Sequence, residues 1–472
     1  MDFSMNYPLF WIYFAYTGLV VADILHMLYQ RRSPQNLMAW FLTLVLLPFL
    51  GVVLYLLFST RKLFLKRRKP TIQIQSLSKV KPDKVLAIQL DELLRANQVS
   101  GATLGNNVRL HTDATQTFDL FMQAIESAHS SIHLQTYIFE ADSTGLAILD
   151  ALARKASQGV EVRLLMDAIG SFSLYRNPKA LDALRQAGGR CAFFQPLLNS
   201  FLMSQINLRN HRKIYLFDQT TLLTGGINLS HDYLGPSHNA PKNGYWIDLL
   251  CEIQGPNVQH HQDIFKADWH YTTKESLQTS SAAQTNTPNL TSLEGELLQV
   301  IPSGPDIDND ALFEALLQSI YQAKHSIQLV TPYFVPDTSI MNALMIAVKR
   351  GVKLTLITPK TSDHLIFDLG RSSYLRELHE VGAEIFFYQV NMLHAKLTII
   401  DQQVMIIGSA NIDYRSLFIN HEVVNLIYSK SLIMEMQAWT ETLLTDSLLY
   451  DPGSHKLRKL FENLTRIFAP LL

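Results

Sequence analysis

"HRKIYLFDQTTLLTGGIN" occupies His211 to Asn228, and "HAKLTIIDQQVMIIGSAN" occupies His394 to Asn411. Both read His, any, Lys, four of any, Asp, and close on Gly, Gly or Ser, any, Asn. The second copy follows the first by 183 residues. In each, an apolar strand runs on to the aspartate. Alternate residues of a strand share a face, so His211 and Lys213 point one way, as do His394 and Lys396. A metal fits this pattern poorly, because an ammonium competes with a cation and no acidic or thiol ligand recurs at regular spacing. A phosphate fits better. Lysine supplies a positive point charge, and Asn228, Asn411 and the Gly225–Gly226 and Gly408–Ser409 backbones supply further donors. Histidine serves as a nucleophile or a proton carrier near neutral pH. Asp218 and Asp401 end a strand before a polar turn, so a structural role and a role in the site both fit. Gly225, Gly226 and Gly408 likewise fit as plain turn residues.

The surroundings repeat as well. "SIHLQTYIFEADSTGLAILDALARKASQGVEVRLLMD" begins at Ser131, and "SIQLVTPYFVPDTSIMNALMIAVKRGVKLTLITPK" begins at Ser326. Each reads as apolar strand, helix, Gly-Val turn and apolar strand. "LRQAGGRCAFF" from Leu184 and "LRELHEVGAEIFF" from Leu375 each end a helix and start a strand. One α/β unit is written twice. The predicted fold is two α/β domains, 105–271 and 296–450, whose sheets pack about a pseudo-twofold axis.

Duplication suits in-line displacement at phosphorus, which needs groups on opposite sides. One histidine attacks and the other protonates the departing alkoxide; that second histidine then takes a proton from the incoming alcohol or water. The intermediate is a phosphohistidine. Each imidazole also needs an acceptor at its other nitrogen. A candidate stands downstream of each motif: Asp248 in "GYWIDL" and Glu422 in "FINHEV".

Upstream, residues 1–70 read as a membrane hairpin. Leu9 to Leu28 is apolar apart from Asp23 and His26, and Leu37 to Phe58 is 22 residues without a charge. At 1.5 Å per residue the second stretch reaches about 33 Å, enough for the ~30 Å hydrocarbon layer. "RKLFLKRRK" (61–69) holds six basic residues and no acid, whereas only Arg31 and Arg32 lie between the spans. The positive-inside rule puts the basic run, the N-terminus and the domains in the cytoplasm. The same run could hold anionic headgroups. No basic n-region or small-residue cleavage site marks a signal peptide.

Residues 71–104 and the Ser/Thr-rich 272–295 read as linkers. Residues 451–472 read as an amphipathic helix, with Leu457, Leu460, Phe461, Leu464, Ile467 and Phe468 on one stripe. It either docks on the domains or lies on a membrane. Composition agrees: charged residues are 17% of the chain, below the ~25% usual for soluble domains. The net charge of −1 argues against nucleic acid as a partner. Two cysteines, Cys191 and Cys251, are too few for a disulfide framework and read as buried thiols in a reducing compartment.

On the paired motifs the chain resembles the phospholipase D superfamily. The hairpin, "LRNHRKI", "PSGPD", "TPYFVPD", "LHAKL", "GSANIDYRS" and the terminal "APLL" narrow the resemblance to bacterial cardiolipin synthases. That resemblance covers about residues 7 to 472. It implies two phospholipase D domains sharing one active site in the inner membrane. It implies transfer of a phosphatidyl group between two phosphatidylglycerol molecules, giving cardiolipin and glycerol with neither metal nor other cofactor. Carried over, His211, Lys213, Asp218, His394, Lys396 and Asp401 are active-site residues, Asn228 and Asn411 assist phosphate binding, and His211 is the nucleophile. Ile247 departs from the pattern, since an arginine is expected there, and "SHNAPKNGYW" diverges too. A hydrolase of phospholipid or nucleic acid and a non-catalytic membrane scaffold are the other readings. The hairpin favours lipid, and two intact motifs speak against a scaffold.

Overall fold

The structure, a computed structural model, describes residues 7–29, 34–58, 69–72, 74, 82, 85–197, 206–277, 295–307 and 309–453. The basic run before Lys69, Arg31, Arg32, most of the polar linker and the C-terminal stretch from 454 lie outside the described residues.

The first half builds β1 (Thr103–His111), β2 (Ser131–Thr136), β3 (Glu161–Asp167), β4 (Arg190–Phe194), β5 (Ile214–Phe217), β6 (Thr221–Gly225) and β7 (Leu250–Gln254). The second builds β8 (Glu296–Ser303), β9 (Ser326–Val330), β10 (Phe334–Val335), β11 (Lys353–Pro359), β12 (Glu384–Tyr388), β13 (Leu397–Ile400), β14 (Val404–Gly408), β15 (Ile412–Asp413), β16 (Glu422–Ile427) and β17 (Ser447–Leu449). The spatial order β4-β3-β2-β5-β6-β7-β1 in one half is matched by β12-β11-β9-β13-β14-β16-β8 in the other. The repeat seen in the sequence is thus a repeat of topology. The expected pairing of two sheets takes the form of an edge-to-edge junction. They join edge to edge through antiparallel β1 and β8, with Thr103 beside Leu298, in one fifteen-stranded sheet. Joining the edges satisfies backbone groups that two separate sheets would leave exposed.

The repeated "AD" and "PD" dipeptides are helix starts. Asp142 accepts from the Gly145 N–H, and Asp337 from the Ser339 N–H, opening the helices Ser143–Ser157 and Thr338–Lys349. The preceding Phe139 and Phe334 are fully buried. Each half has its own core, and a third cluster crosses between them, including Leu216, Trp269, Leu397 and Ile399. Cys251 lies in that shared core and Cys191 is half-buried; both are free thiols.

At the N-terminus α1 spans Tyr7–Tyr29. Phe10–Tyr29, with mean hydropathy 1.4, is the one helix among the described residues long and apolar enough to cross a bilayer. Phe10, Trp11, Phe14 and Leu25 are exposed along it, which suits lipid as the covering medium. The second predicted span is not one helix: α2 (Pro34–Leu46) and α3 (Leu50–Phe58) are separated at Leu47–Phe49. Pro48 lacks the N–H that a continuous helix needs, and Phe49 takes φ 64°. The three pieces pack together through Met27, Trp40, Leu44, Val52 and Tyr55.

The predicted linker 71–104 contains a helix, α4 (Val85–Ala96), whose Leu86, Leu90 and Leu94 join the second half's core. Just before it, Lys69 is buried rather than offered to a membrane surface. Its ammonium pairs with Asp268 and with Asp306. Arg212, fully buried, pairs with the same two carboxylates at 3.0 and 2.9 Å. Two cations and two anions therefore close a buried cluster in which both halves and the membrane-proximal segment take part.

Candidate active site

Two backbone bridges cross between the halves. The His211 N–H donates to the His421 carbonyl at 2.9 Å, and the His421 N–H donates to the Arg209 carbonyl at 2.9 Å. The second bridge repeats the first: His394 N–H to the Ile247 carbonyl at 2.7 Å, and Ile247 N–H to the Met392 carbonyl at 2.8 Å. Each bridge sets one motif histidine beside a carboxylate of the opposite half. Nδ1 of His211 is 3.0 Å from Glu422 Oε2, and Nδ1 of His394 is 2.6 Å from Asp248 Oδ2. A candidate follows each motif in the chain, and the pairing is exchanged between halves. With Nδ1–H committed to a carboxylate, Nε2 is the nitrogen left for chemistry.

Gly226 and Ser409 complete this exchange. A Cβ at Gly226 would stand 2.1 Å from Asp248 Oδ1, so the short aspartate approaches bare backbone there. At the equivalent place Ser409 Oγ donates to Glu422 Oε2 at 2.5 Å, and its carbonyl lies 3.1 Å from His211 Nδ1. Both residues thus touch the orienting carboxylates.

Lys213 and Lys396 are buried beside the histidines, each ammonium donating to the backbone carbonyl of its own motif's histidine. Asn228 and Asn411 line the same cavity as His211 and His394, a space of about 280 Å³. The Asn228 carbonyl accepts from the Ile138 N–H at 3.1 Å, which leaves its NH2 end as the donor. Burial sets the protonation of this site. It pulls His394 down to about 4, with Lys396 adding repulsion and Asp248 opposing. Burial also lowers His211, against Glu422. Lys213 falls to about 7 and Lys396 to about 8, in both cases through burial first. A cavity that strips charge from four cationic groups favours an anion that restores it.

Asp218 and Asp401 do not join this cavity. They follow β5 and β13 at the end away from the histidines, with φ of 50° at both. Asp218 is five positions of extended chain beyond Lys213, roughly 16 Å. The Asp218 carboxylate accepts the N–H groups of His129, Ser130 and Ser131. That of Asp401 accepts those of Lys324, His325 and Ser326. Each ties the strand end to the loop that enters the neighbouring strand, which suits the structural one of the two roles the sequence left open. Ile247 also has a backbone role. Its side chain packs on the shared core and is not among the cavity residues.

Several cavity residues escaped the sequence reading: Tyr137, Arg209, Tyr233, Tyr333, Asp363 and Arg415. Tyr137 stacks edge-on to His211 at 4.9 Å, and Tyr233 to His394 at 5.0 Å. Tyr333 lies within "TPYFVPD", the second copy's counterpart of "TYIFEAD" with Tyr137, a signal that could have found it. Among the described residues no group of three or more His, Cys, Asp or Glu is placed to hold a metal ion.

Comparison with known proteins gives the family and the fold. The family described as "Cardiolipin synthase, PLD-like domain" matches residues 121–269 and 316–444, and "Phospholipase_D-nuclease N-terminal" matches 17–59. Cardiolipin synthase 1 of Bacillus cereus is 33% identical over 94% of this chain and 90% of its own. Cardiolipin synthase of Clostridium perfringens is 32% identical, covering 94% and 95%. The crystal structure of phosphatidylserine synthase from Haemophilus influenzae Rd KW20 shares the fold, with TM-score 0.59 at 14% identity over 81% of this chain and 97% of that one. The chain belongs to the cardiolipin synthase family of phospholipase D-like proteins.

Proposed function

We propose that this membrane-associated phospholipid phosphatidyltransferase makes cardiolipin and glycerol from two phosphatidylglycerol molecules. The observation that carries the reading is the exchanged pair of histidine–carboxylate contacts around one cavity. Nε2 of His211 attacks phosphorus, and the bond from phosphorus to the glycerol oxygen breaks. A protonated His394 gives that oxygen its proton, and glycerol leaves. The arriving phosphodiester is an anion, which favours the imidazolium that burial alone disfavours. A hydroxyl of the second phosphatidylglycerol then attacks phosphorus. Its proton passes to neutral His394, the phosphorus–nitrogen bond breaks, and His211 is restored. Lys213, Lys396, Asn228 and Asn411 hold the phosphate oxygens throughout. His211 takes the nucleophile's role by analogy with the family.

The membrane stem explains how an alcohol competes with water at ~55 M: it keeps the site where the lipid alcohol is concentrated. We place the domains on the cytoplasmic side, with two crossings before them, on the charge distribution of residues 31–32 and 61–69. The test is lipid analysis of phosphatidylglycerol vesicles carrying the intact protein or His211→Ala. Cardiolipin and free glycerol in equal amounts from the first, and neither from the second, are expected. Phosphatidic acid as the main product would make the protein a hydrolase instead.

A further inference from the structure

The cavity has two unlike walls. On the His211 side stand Tyr137, Arg209 and Arg415. On the His394 side stand Tyr233, Tyr333 and Asp363, with the Tyr333 ring 6.4 Å from that of His394. Asp363 follows β11 and stands just before His364, the residue that caps the helix Leu365–Glu380. It is a carboxylate at the partly exposed mouth of a cavity built for an anion. Its Oδ1 accepts the Tyr333 hydroxyl at 2.5 Å, and its Oδ2 lies 3.4 Å from His364 Nε2. No arginine or lysine is paired with it among the described residues.

A carboxylate here repels any phosphodiester that approaches it. It therefore turns the phosphate toward the lysines and guanidinium groups and reserves its own end for something else. Two kinds of headgroup group suit a carboxylate: an ammonium and a hydroxyl. An ammonium would meet Lys213, Lys396 and Arg415, whose field Asp248, Glu422 and Asp413 offset only in part, while Arg209 is paired with Asp167. A neutral diol meets no such opposition, and carboxylate oxygens accept strongly from O–H donors. The side also matters. In an in-line displacement the alcohol leaves and enters opposite the nucleophile, which is the His394 side when His211 attacks.

We propose that Asp363, braced by Tyr333, is the specificity residue that binds the hydroxyls of a glycerol headgroup and thereby selects a glycerol-bearing acceptor over water and simple alcohols. This rests on the phosphatidyl-transfer reading above and adds the recognition of the alcohol to it. One acceptor hydroxyl attacks phosphorus, with its proton going to His394, while its neighbour donates to the Asp363 carboxylate. Tyr333 fixes the carboxylate in place and leaves it lone pairs for that bond.

Full-length protein in mixed micelles, given phosphatidyl-p-nitrophenol as donor, tests this. The nitrophenol leaving group makes the first step independent of glycerol. Glycerol, n-propanol and ethanolamine are offered together at equal concentration, and the ratio of transfer products is read by mass spectrometry. A product ratio does not depend on overall rate. The wild type should favour glycerol over propanol. Asp363→Ala should lower that preference at least tenfold, and Asp363→Asn, whose amide oxygen still accepts, should lower it less. Tyr333→Phe should lower it too. An unchanged glycerol-to-propanol ratio in Asp363→Ala overturns the proposal. So does selective loss of ethanolamine transfer, which would make the site an ammonium site, or complete inactivity of both folded Asp363 variants, which would put the residue in the chemistry. The transfer reading itself fails differently: the wild type would then give only phosphatidic acid whatever alcohol is present.

Discussion

Nδ1 of His211 lies 3.0 Å from Oε2 of Glu422, a residue 211 positions further along the chain and in the other half of the molecule. The mirror contact joins His394 to Asp248. Neither half therefore contains a complete histidine site. The backbone bridges at His421 and Ile247 enforce the exchange, because the residue after each bridge is the carboxylate. Two copies of the motif are needed for two reasons: each supplies a histidine, and each orients the histidine of the other.

Replacing either carboxylate should therefore disable the opposite half's histidine. In Glu422→Gln the amide can donate to Nδ1 and turn the imidazole to the tautomer with its lone pair off the cavity. Turnover should fall on the order of 10²–10⁴-fold. Asp248→Asn should do the same through His394. The double variant should lose little beyond the worse single one, since the groups act as a unit. Steady-state kcat for the three variants checks this; simple multiplication of the losses would contradict it.

Asp218→Asn and Asp401→Asn should cost stability and leave the chemistry of the folded enzyme alone. Each removes a charge that gathers three backbone N–H groups, for about 1–3 kcal/mol. Burial raises the Asp218 carboxyl, and the N–H groups of Ser131, Ser130 and His129 more than reverse it, so it titrates below its ordinary value. Its contribution is present above the unfolded value near ~3.9 and is lost as pH falls below it. Thermal melts should show a lower Tm at neutral pH for Asp218→Asn and a smaller gap from wild type in strong acid. A normal Tm with lost turnover would return Asp218 to the active site.

Lys69 should be worth more than a surface lysine. Asp268 and Asp306 are fully buried, and although burial alone would raise them, Arg212 and Lys69 hold both below the ordinary carboxylate range. Lys69→Met leaves two anions to Arg212 and His421, at a cost on the order of 3–5 kcal/mol. A fragment starting at residue 71 should accordingly melt lower than one starting at residue 60. Equal melting would mean that Arg212 suffices.

The pH dependence should come from the lysines. Burial lowers Lys213 to about 7 and Lys396 to about 8. Both are cationic below those values, so substrate capture weakens as pH rises through that range. kcat/KM, which reports the free enzyme, should fall on the alkaline side from about pH 7 to 8. Bound phosphate raises both lysines, so kcat itself should hold to higher pH. Coincident alkaline limbs would contradict this.

Much of this was legible in the sequence, for reasons that particular residues make plain. His211 and Lys213 sit two apart before an apolar strand, which fixes their shared face without any structure. The duplicated pattern named the site because chance does not repeat six constrained positions. Asp218 has the same spacing regularity and yet lies at the wrong end of the strand; spacing fixes distance along a strand but not which end faces a ligand. The exchange of Asp248 and Glu422 was not legible, because sequence order suggests the nearer histidine and only the inter-half bridges decide otherwise. Asp363 and Arg415 reach the cavity by tertiary folding alone. The break at Pro48 was legible, since a proline interrupts a helix interior, and the long uncharged run concealed it. Lys69 shares a run with five other basic residues, and only packing separates it from them.

The central claim is a double displacement through a histidine, and the configuration at phosphorus tests it most directly. Phosphatidylglycerol made chiral at phosphorus with oxygen isotopes should be converted by the intact protein in vesicles. The cardiolipin formed is analysed for the configuration of the transferred phosphate. Two successive in-line attacks predict retention. Inversion would mean direct attack of one lipid on the other and would contradict the account.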